Sequence, residues 1–510
     1  MLRTKARRQI ISQQSKKVLA LSIGQLLNTI ISIVIMMVSA RLLSMQELAT
    51  YRQSLLVFQV ATPFIGLGMG SALLYFLPVG VERRKSILIE SLLICTCSGG
   101  IIGLALYLGG GTLIANTFQN TELSNVLFLI AFLMLFAAPN IVINSFLVVL
   151  NKVNTLSVYQ VVTNLLVGGG VIAACVYIQD PFWMVAARVA LLILGAFIAL
   201  KIMFSCVTTL PCNPSIKSST DLISYGLPLS MSMCVGMLTL QLDKIIVSAK
   251  TSPEIFAIYS NGAMEIPLIG IITSSICLVM IVPFRKAFSD NELSSCIEIY
   301  HKVSEKISFI LLPVMAYFAL VATPFIIVMY SEKYIESVLP FLLYLLIIPS
   351  RTLLQGAMAA VGKGKILLRN SVISLVLNGC LTFVLVNQFG YFGAIIATII
   401  VLYCWDVMIS LKELSSSLEC KMVELYPKTV FIKLFLCSAL SSAPTYVLLL
   451  LMNKENAFLQ LVVAALIYFP LYLLLGIKLK LFSEKMLSFI SQNYNKIKLK
   501  LRPILGSTKW

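Results

Sequence analysis

Charge is what this sequence has least of. Asp, Glu, Lys and Arg make up 12% of its 510 residues, about half the quarter that a soluble domain carries. Histidine occurs once, at His301, which excludes a histidine proton relay and a histidine-based metal centre. The chain also lacks HExxH, GxSxG and Walker sequences and any loop of paired carboxylates, so no catalytic residues are assigned. GKGK (Gly362–Lys365) falls in a short turn, without the strand and helix that a phosphate loop needs. The twelve cysteines show no zinc-ligand spacing, and most (Cys95, Cys97, Cys175, Cys234, Cys277, Cys380, Cys437) sit in apolar segments. They read as small, reduced side chains. No metal and no cofactor is expected.

What the chain has instead is apolar length. Hydrophobic residues make up 59% of it, mean hydropathy is +0.95, and runs long enough to span lipid recur from end to end. Such runs are too long for barrel strands, and a spanning backbone must bond internally, so the expected class is an all-α polytopic membrane protein. The runs number about fourteen, the first over 18–40 and the last over 457–477, with others at 53–78, 123–149, 221–249 and 262–283. The first is too long for the apolar core of a signal peptide.

The net charge of +18 is settled by its distribution. Thirty basic residues fall on the two tails and the even-numbered connections with their flanks. Only Arg41, Arg52, Lys250, Lys333 and Lys454 fall on the other side, and Arg188, Lys244, Arg351 and Lys433 lie within spans. That asymmetry predicts cytoplasmic N- and C-termini, and with no aromatic-basic motif it excludes nucleic acid as a partner. Outside loops are short, the longest being roughly 109–122. The connection Arg285–Ser304 is expected to form a helix on the membrane surface. The basic tail Lys478–Arg502, with its interleaved apolar residues, has the pattern of a segment lying on the inner leaflet or of a solvated tail.

The chain repeats itself. Asp221–Pro283 resembles Leu19–Pro78, and an offset of 208 places Ser44, Ala49 and Tyr51 on Ser252, Ala257 and Tyr259. Pro139 likewise aligns with Pro349, and Phe182-Trp183 with Tyr391-Phe392. Two repeated halves around one cavity are the architecture of a transporter. The domains expected are a basic tail (1–17), an N-lobe of six spans (18–207), a linker with the hinge-like PCNPS (208–220) and a C-lobe of six spans (221–411). A loop (412–429), two further spans (430–477) and a basic tail (478–510) follow.

Polar residues inside the spans mark candidate sites. In the first span Ser22, Gln25, Asn28, Ser32 and Ser39 share a helical face, and in the seventh Ser230, Cys234, Gln241, Lys244 and Ser248 do so. Such faces either glue helices together or line a cavity. Asp243 is turned about 100° from Lys244 and should face a neighbouring helix. Glu265 is expected within the first turn of the eighth span, where it could answer Lys244. Arg188 and Arg351 are cavity or interfacial cations, the latter after the helix-breaking Pro349.

Three stretches carry a resemblance: SARLLSMQELATYRQ (Ser39–Gln53), LDKIIVSAKTSPEIFAIYSNGAMEIPLIG (Leu242–Gly270) and GYFGAIIATIIVLY (Gly390–Tyr403). Over residues 18 to 478 the chain resembles the Wzx-like polysaccharide and O-antigen flippases of the MOP exporter superfamily. The resemblance implies two six-helix lobes in a V, as in the MATE-like fold, plus two C-terminal helices. It implies location in the bacterial inner membrane, a lipid-linked oligosaccharide on undecaprenyl diphosphate as substrate, and polysaccharide polymerases or ligases as partners. Arg41, Lys244, Arg351 and Arg188 would then contact phosphate or sugar acids, with Gln25, Asn28, Ser32 and Gln241 lining the cavity. Asp243 and Glu265 would serve ion coupling or gating. Lys244 departs from the arginine often found after that aspartate. Two alternatives stand beside this reading: a cation-coupled multidrug exporter of the same fold, and a membrane polysaccharide polymerase or glycosyltransferase, which should show a large outside loop.

Overall fold

Helix is the only regular structure among the described residues of this computed structural model, which cover 26–79, 81–208, 210–350, 353–426, 428–452 and 456–478. The N-tail, the basic C-tail beyond Lys478, Gln25 and Arg351 lie outside them. In chain order the helices are α1 (Leu26–Leu42), α2 (Met45–Gly66), α3 (Met69–Phe76), α4 (Arg84–Ala105), α5 (Gly111–Thr117), α6 (Glu122–Leu135), α7 (Ala138–Val149), α8 (Val153–Tyr177) and α9 (Pro181–Ser205). They continue as α10 (Ile216–Lys250), α11 (Pro253–Gly262), α12 (Pro267–Ser289), α13 (Leu293–Leu320), α14 (Ala322–Tyr330), α15 (Val338–Leu345) and α16 (Leu354–Ala360). The last are α17 (Gly364–Phe389), α18 (Tyr391–Val401), α19 (Met408–Ser417), α20 (Met422–Leu425), α21 (Lys428–Leu451) and α22 (Ala457–Lys478).

Among the described residues eleven helices, some joined across a short break, are long and apolar enough to cross a membrane, and α6 with α7, bent by 40°, makes a twelfth if the pair is one span. Helices α1 and α12 fall on the first and eighth predicted spans. The second span begins earlier than hydropathy suggests, at Met45, because Ser44 caps α2. Its Oγ accepts from Glu47 N at 3.2 Å while its own N–H donates to Glu47 Oε2 at 2.8 Å, a reciprocal capping box. The expected surface helix at 285–304 is absent. Its residues complete α12 and open α13, separated only by Asp290, Asn291 and Glu292.

The chain forms two compact units. Of the described residues the first holds 26–261, 329–333 and 371–398, and so includes α10. The span from Met45 to Phe76 breaks inside it at Leu67 and Gly68, both left-handed with φ of 40° and 71°. Carbonyls freed near the break are answered from a neighbouring helix, Ser98 Oγ donating to Phe64 O at 2.8 Å and Cys95 Sγ to Gly66 O at 3.6 Å, while Pro63 O, which accepts from Leu67 N at 3.2 Å, accepts also from Ser230 Oγ at 3.1 Å. In lipid no water could do this. Close backbone approach fixes α4 on α6. A Cβ at Gly99 would lie 2.2 Å from Met134 O, and one at Gly103 2.5 Å from Ala131 O. Small residues one turn apart serve this purpose where lipid supplies no hydrophobic drive between helices. Met69, Leu73, Leu88, Val142, Phe146, Met203 and Leu222 form a buried core shared by α3, α4, α7, α9 and α10.

The second unit holds residues 262–328, 334–370 and 399–510. There α21 and α22 pack on α13 through aromatic pegs. Tyr317 OH donates to Leu461 O at 2.8 Å, and Tyr317 meets Tyr468 and Phe469 with ring centroids 5.9 and 5.2 Å apart. Arg285 Nη1 donates to Ala360 O at 2.8 Å, closing the C-terminus of α16, where a cation is favoured. His301 Nε2 lies 2.6 Å from Glu424 O, which ties α20 to α13.

Candidate functional site

Helix α10 carries Ser230, Cys234, Gln241, Asp243, Lys244 and Ser248 of the polar residues singled out above, and its start is anchored. Glu90, only 1% exposed, accepts from Ser215 N at 2.8 Å and from Ser218 Oγ at 2.6 Å, while Ser86 Oγ accepts from Asn213 N at 2.9 Å. A carboxylate at a helix N-terminus satisfies open N–H groups and complements the dipole. The PCNPS linker is thereby held to α4. Further along, Gly226 passes so close to Gly68 that a Cβ on Gly68 would lie 2.0 Å from Gly226 O. Helix α10 therefore runs hard against the break between α2 and α3.

At its other end α10 enters a buried polar cluster. Gln53 Nε2 donates to Ser248 Oγ at 2.8 Å, and Asn120 Nδ2 donates to Gln53 Oε1 at 2.7 Å and to Thr50 Oγ1 at 2.8 Å. Tyr259 OH donates to Asp243 Oδ2 at 2.6 Å, whereas Asp243 Oδ1, Asn120 Oδ1, the Tyr51 hydroxyl and both side-chain polar atoms of Asn261 have no partner. Unpartnered polar atoms at such depth are costly and often mark function. Arg52 Nη1 donates to Ser260 Oγ at 2.7 Å, and its guanidinium stands 5.6 Å from the centre of the Tyr330 ring. Arg52 and Ser260 are 208 residues apart. Repeat-equivalent residues thus touch, with Tyr51 and Tyr259, and Gln53 and Asn261, buried beside them. The caps repeat too: Ser252 Oγ accepts from Ile255 N at 3.5 Å at the start of α11, as Ser44 does for α2.

The candidate residues divide. Asp243 is buried at 5% exposure and engages α11. Lys244, half-buried one position on, makes no hydrogen bond or ion pair among the described residues. Gln241 Nε2 donates to Gln59 Oε1 at 3.3 Å. Arg41 is exposed at the end of α1, where its Nη1 donates to Met37 O at 3.0 Å and Met329 O at 3.4 Å; Lys333 donates to Leu43 O beside it. Asn28 and Ser32 are exposed on α1. Arg188 is half-buried on α9, with its Nε sealed from solvent and unpartnered. Glu265 is not inside a helix, as the sequence suggested. Residues 253–262 form a helix of their own, capped by Ser252, and α12 begins only at Pro267, so Glu265 is exposed in the connection.

Glu90, Asn120, Gln53 and Asn261 were not singled out from the sequence, Tyr259 stood only as the repeat equivalent of Tyr51, and Arg52 was counted only as a loop cation. The offset of 208, carried two residues past Tyr51, pairs Arg52 with Ser260 and Gln53 with Asn261. That was the available signal.

Known proteins resemble the chain as follows. The family model described as "Polysaccharide biosynthesis protein" matches residues 38–339, more than half of the chain. No curated protein matches it. Among solved structures, the lipid II flippase MurJ in an inward closed conformation superposes with a TM-score of 0.69 at 16% identity, covering 91% of this chain and 99% of that one. An inward-facing multidrug resistance MATE family transporter of the MOP superfamily gives 0.57 at 13% identity, covering 79% and 99%. A MOP superfamily transporter from Pyrococcus furiosus gives 0.51 at 16% identity, covering 80% and 97%. The chain belongs to the polysaccharide biosynthesis protein family, and it is a multi-pass membrane protein with the fold of the MOP superfamily transporters.

Proposed function

We propose that this protein is a flippase. It would carry undecaprenyl-diphosphate-linked oligosaccharide units from the cytoplasmic to the outer leaflet of the bacterial inner membrane by alternating access, for polysaccharide assembly. The observation that carries the reading is the family match over residues 38–339, together with a fold shared with a lipid II flippase over nearly the whole of both chains. The physical need is plain: a diphosphate bearing hydroxyl-rich sugars cannot enter hydrocarbon unaided. Cations must meet the diphosphate, polar side chains the hydroxyls, and the prenyl chain can remain in lipid.

Arg41, Lys244, Arg188 and Arg351 are the proposed cationic contacts, Arg as a planar fork and Lys as a point charge. Lys244 is the foremost of them, since its ammonium lacks a partner among the described residues. Gln241, Gln25, Asn28 and Ser32 would meet sugar hydroxyls. Asp243 is proposed for ion coupling, because one of its oxygens is buried and unpartnered, and Glu265 for gating. With no nucleotide-binding sequence in the chain, the driving force would be an ion gradient.

A second reading, cation-coupled drug export, draws on the same Asp243, because a buried carboxylate can also receive a cationic drug. Binding separates the two. The purified protein should retain fluorescent undecaprenyl-diphosphate oligosaccharide, lose it to excess undecaprenyl diphosphate, and keep it against organic cations. Displacement by organic cations alone would favour the drug exporter.

A further inference from the structure

A cavity lies within the first unit, lined by none of the residues proposed above as substrate contacts, at the end of the helices that the charge distribution assigns to the outside. It has a volume of about 670 Å³, within the roughly 300–1,000 Å³ of small-molecule sites. Four segments frame it: the first turns of α2, the stretch from Leu106 through α5, the start of α6 and the start of α9. Its polar wall carries Glu47, Glu122 and Asp180 with Asn125, and its apolar wall includes the rings of Tyr107 and Phe128, 5.4 Å apart and tilted by 47°.

Two of the carboxylates are already set in place. Glu47 Oε2 accepts from Ser44 N at 2.8 Å, and Asp180 Oδ1 accepts from Phe182 N at 2.7 Å. Each uses one oxygen to hold a helix start and leaves the other available, so a ligand would meet acceptors that need no reordering. The lining also decides what does not belong there. It contains no Lys, Arg or His among its described residues, which excludes a phosphate or an acidic sugar. Among the described residues no three His, Cys, Asp or Glu side chains converge as metal ligands do, which argues against a metal ion. A purely apolar molecule would strip water from three carboxylates without return. A neutral or amine-bearing sugar fits both walls: its hydroxyls donate to carboxylates and the amide, and its C–H face lies on the rings.

We propose that this cavity is a saccharide-binding site for neutral or amine-bearing sugar residues, separate from the cationic contacts for the diphosphate. The proposal rests on the flippase reading for the source of the sugar, the glycan head exposed at the outer leaflet, and the test is chosen so that the two can fail separately. The purified full-length protein is titrated with four lipid-free trisaccharides, observed by saturation-transfer NMR: maltotriose, chitotriose, its deacetylated amine form and trigalacturonate. At least one of the first three should bind in the cavity, whereas trigalacturonate should meet only the cationic contacts. Glu122→Gln and Tyr107→Ala, neither of which caps a helix, should each weaken that binding about tenfold, the scale of one charge-assisted hydrogen bond or one ring contact. Gly236→Ala, whose added Cβ would meet nothing within 4 Å, should leave it intact. Failure of all three uncharged or amine trimers, trigalacturonate binding weakened equally by the two variants, or unchanged affinity in both variants would overturn the site. Sugar binding that persists in a protein unable to move lipid-linked glycan would overturn the flippase reading and leave the site standing.

Discussion

Replacing Glu90 by alanine tests how the seventh membrane helix is held. The carboxylate is 1% exposed and accepts two hydrogen bonds, from the backbone N–H of Ser215 and the hydroxyl of Ser218. A hydrogen bond to a charged group contributes about 1.5–3 kcal/mol, and a carboxylate at a helix N-terminus about 0.3–1 kcal/mol. Arg83 stands 3.5 Å away but is half-exposed, so that pair adds little. Because these terms overlap, the expected loss is about 3–5 kcal/mol for Glu90→Ala and about half that for Glu90→Gln, which keeps an acceptor for Ser215. A chain of 510 residues has an unfolding entropy near 1 kcal/mol per kelvin on the globular-protein scale, so Tm should fall by about 3–5 °C. Thermal unfolding of the purified variants in detergent reads this directly. A Glu90→Ala protein within about 1 °C of wild type would refute the anchoring role, since two donors would then lose a buried carboxylate partner at no cost.

Three further outcomes follow from the packing and the polar cluster. Gly68→Ala should prevent stable insertion, because its Cβ would lie 2.0 Å from Gly226 O at a φ of 71°, whereas Gly236→Ala, with nothing within 4 Å, should not; membrane-fraction yield distinguishes them. Tyr259→Phe removes only the donor to Asp243 and should cost about 1.5–3 kcal/mol. With Asp243→Asn in a double-mutant cycle the losses should not add, since the pair acts as a unit. Arg52→Ala should destabilise more than Gln46→Ala, an exposed neighbour on the same helix, because Arg52 links to Ser260 and Tyr330.

The sequence made some of this legible and hid the rest for physical reasons. Apolar runs announce helices because a spanning backbone must bond within itself. Hydropathy is blind to where a polar first turn belongs, so it placed the second span's start at 53 although Ser44 and Glu47 cap the helix at Met45. It was equally blind to the helix at 253–262, which left Glu265 assigned to the wrong element. The periodicity of α10 separated Asp243 from Lys244, but the identity of the partner, Tyr259 on α11, comes from packing. Asn120 joins Gln53 across 67 residues and Glu90 joins Ser218 across 128. Pairings at that range leave no mark in local pattern. The repeat offset is the exception, since by itself it places Arg52 over Ser260.

The measurement that bears most directly on the central claim is transbilayer movement of a fluorescent undecaprenyl-diphosphate oligosaccharide in proteoliposomes. Wild type would be run beside Lys244→Ala and Arg41→Ala, with and without an imposed proton or sodium gradient. The account predicts gradient-dependent movement in wild type and its loss in both variants, while both still insert and unfold at the wild-type temperature. Wild-type movement in both variants would contradict the cationic contacts, and no movement by folded wild-type protein would contradict the flippase itself.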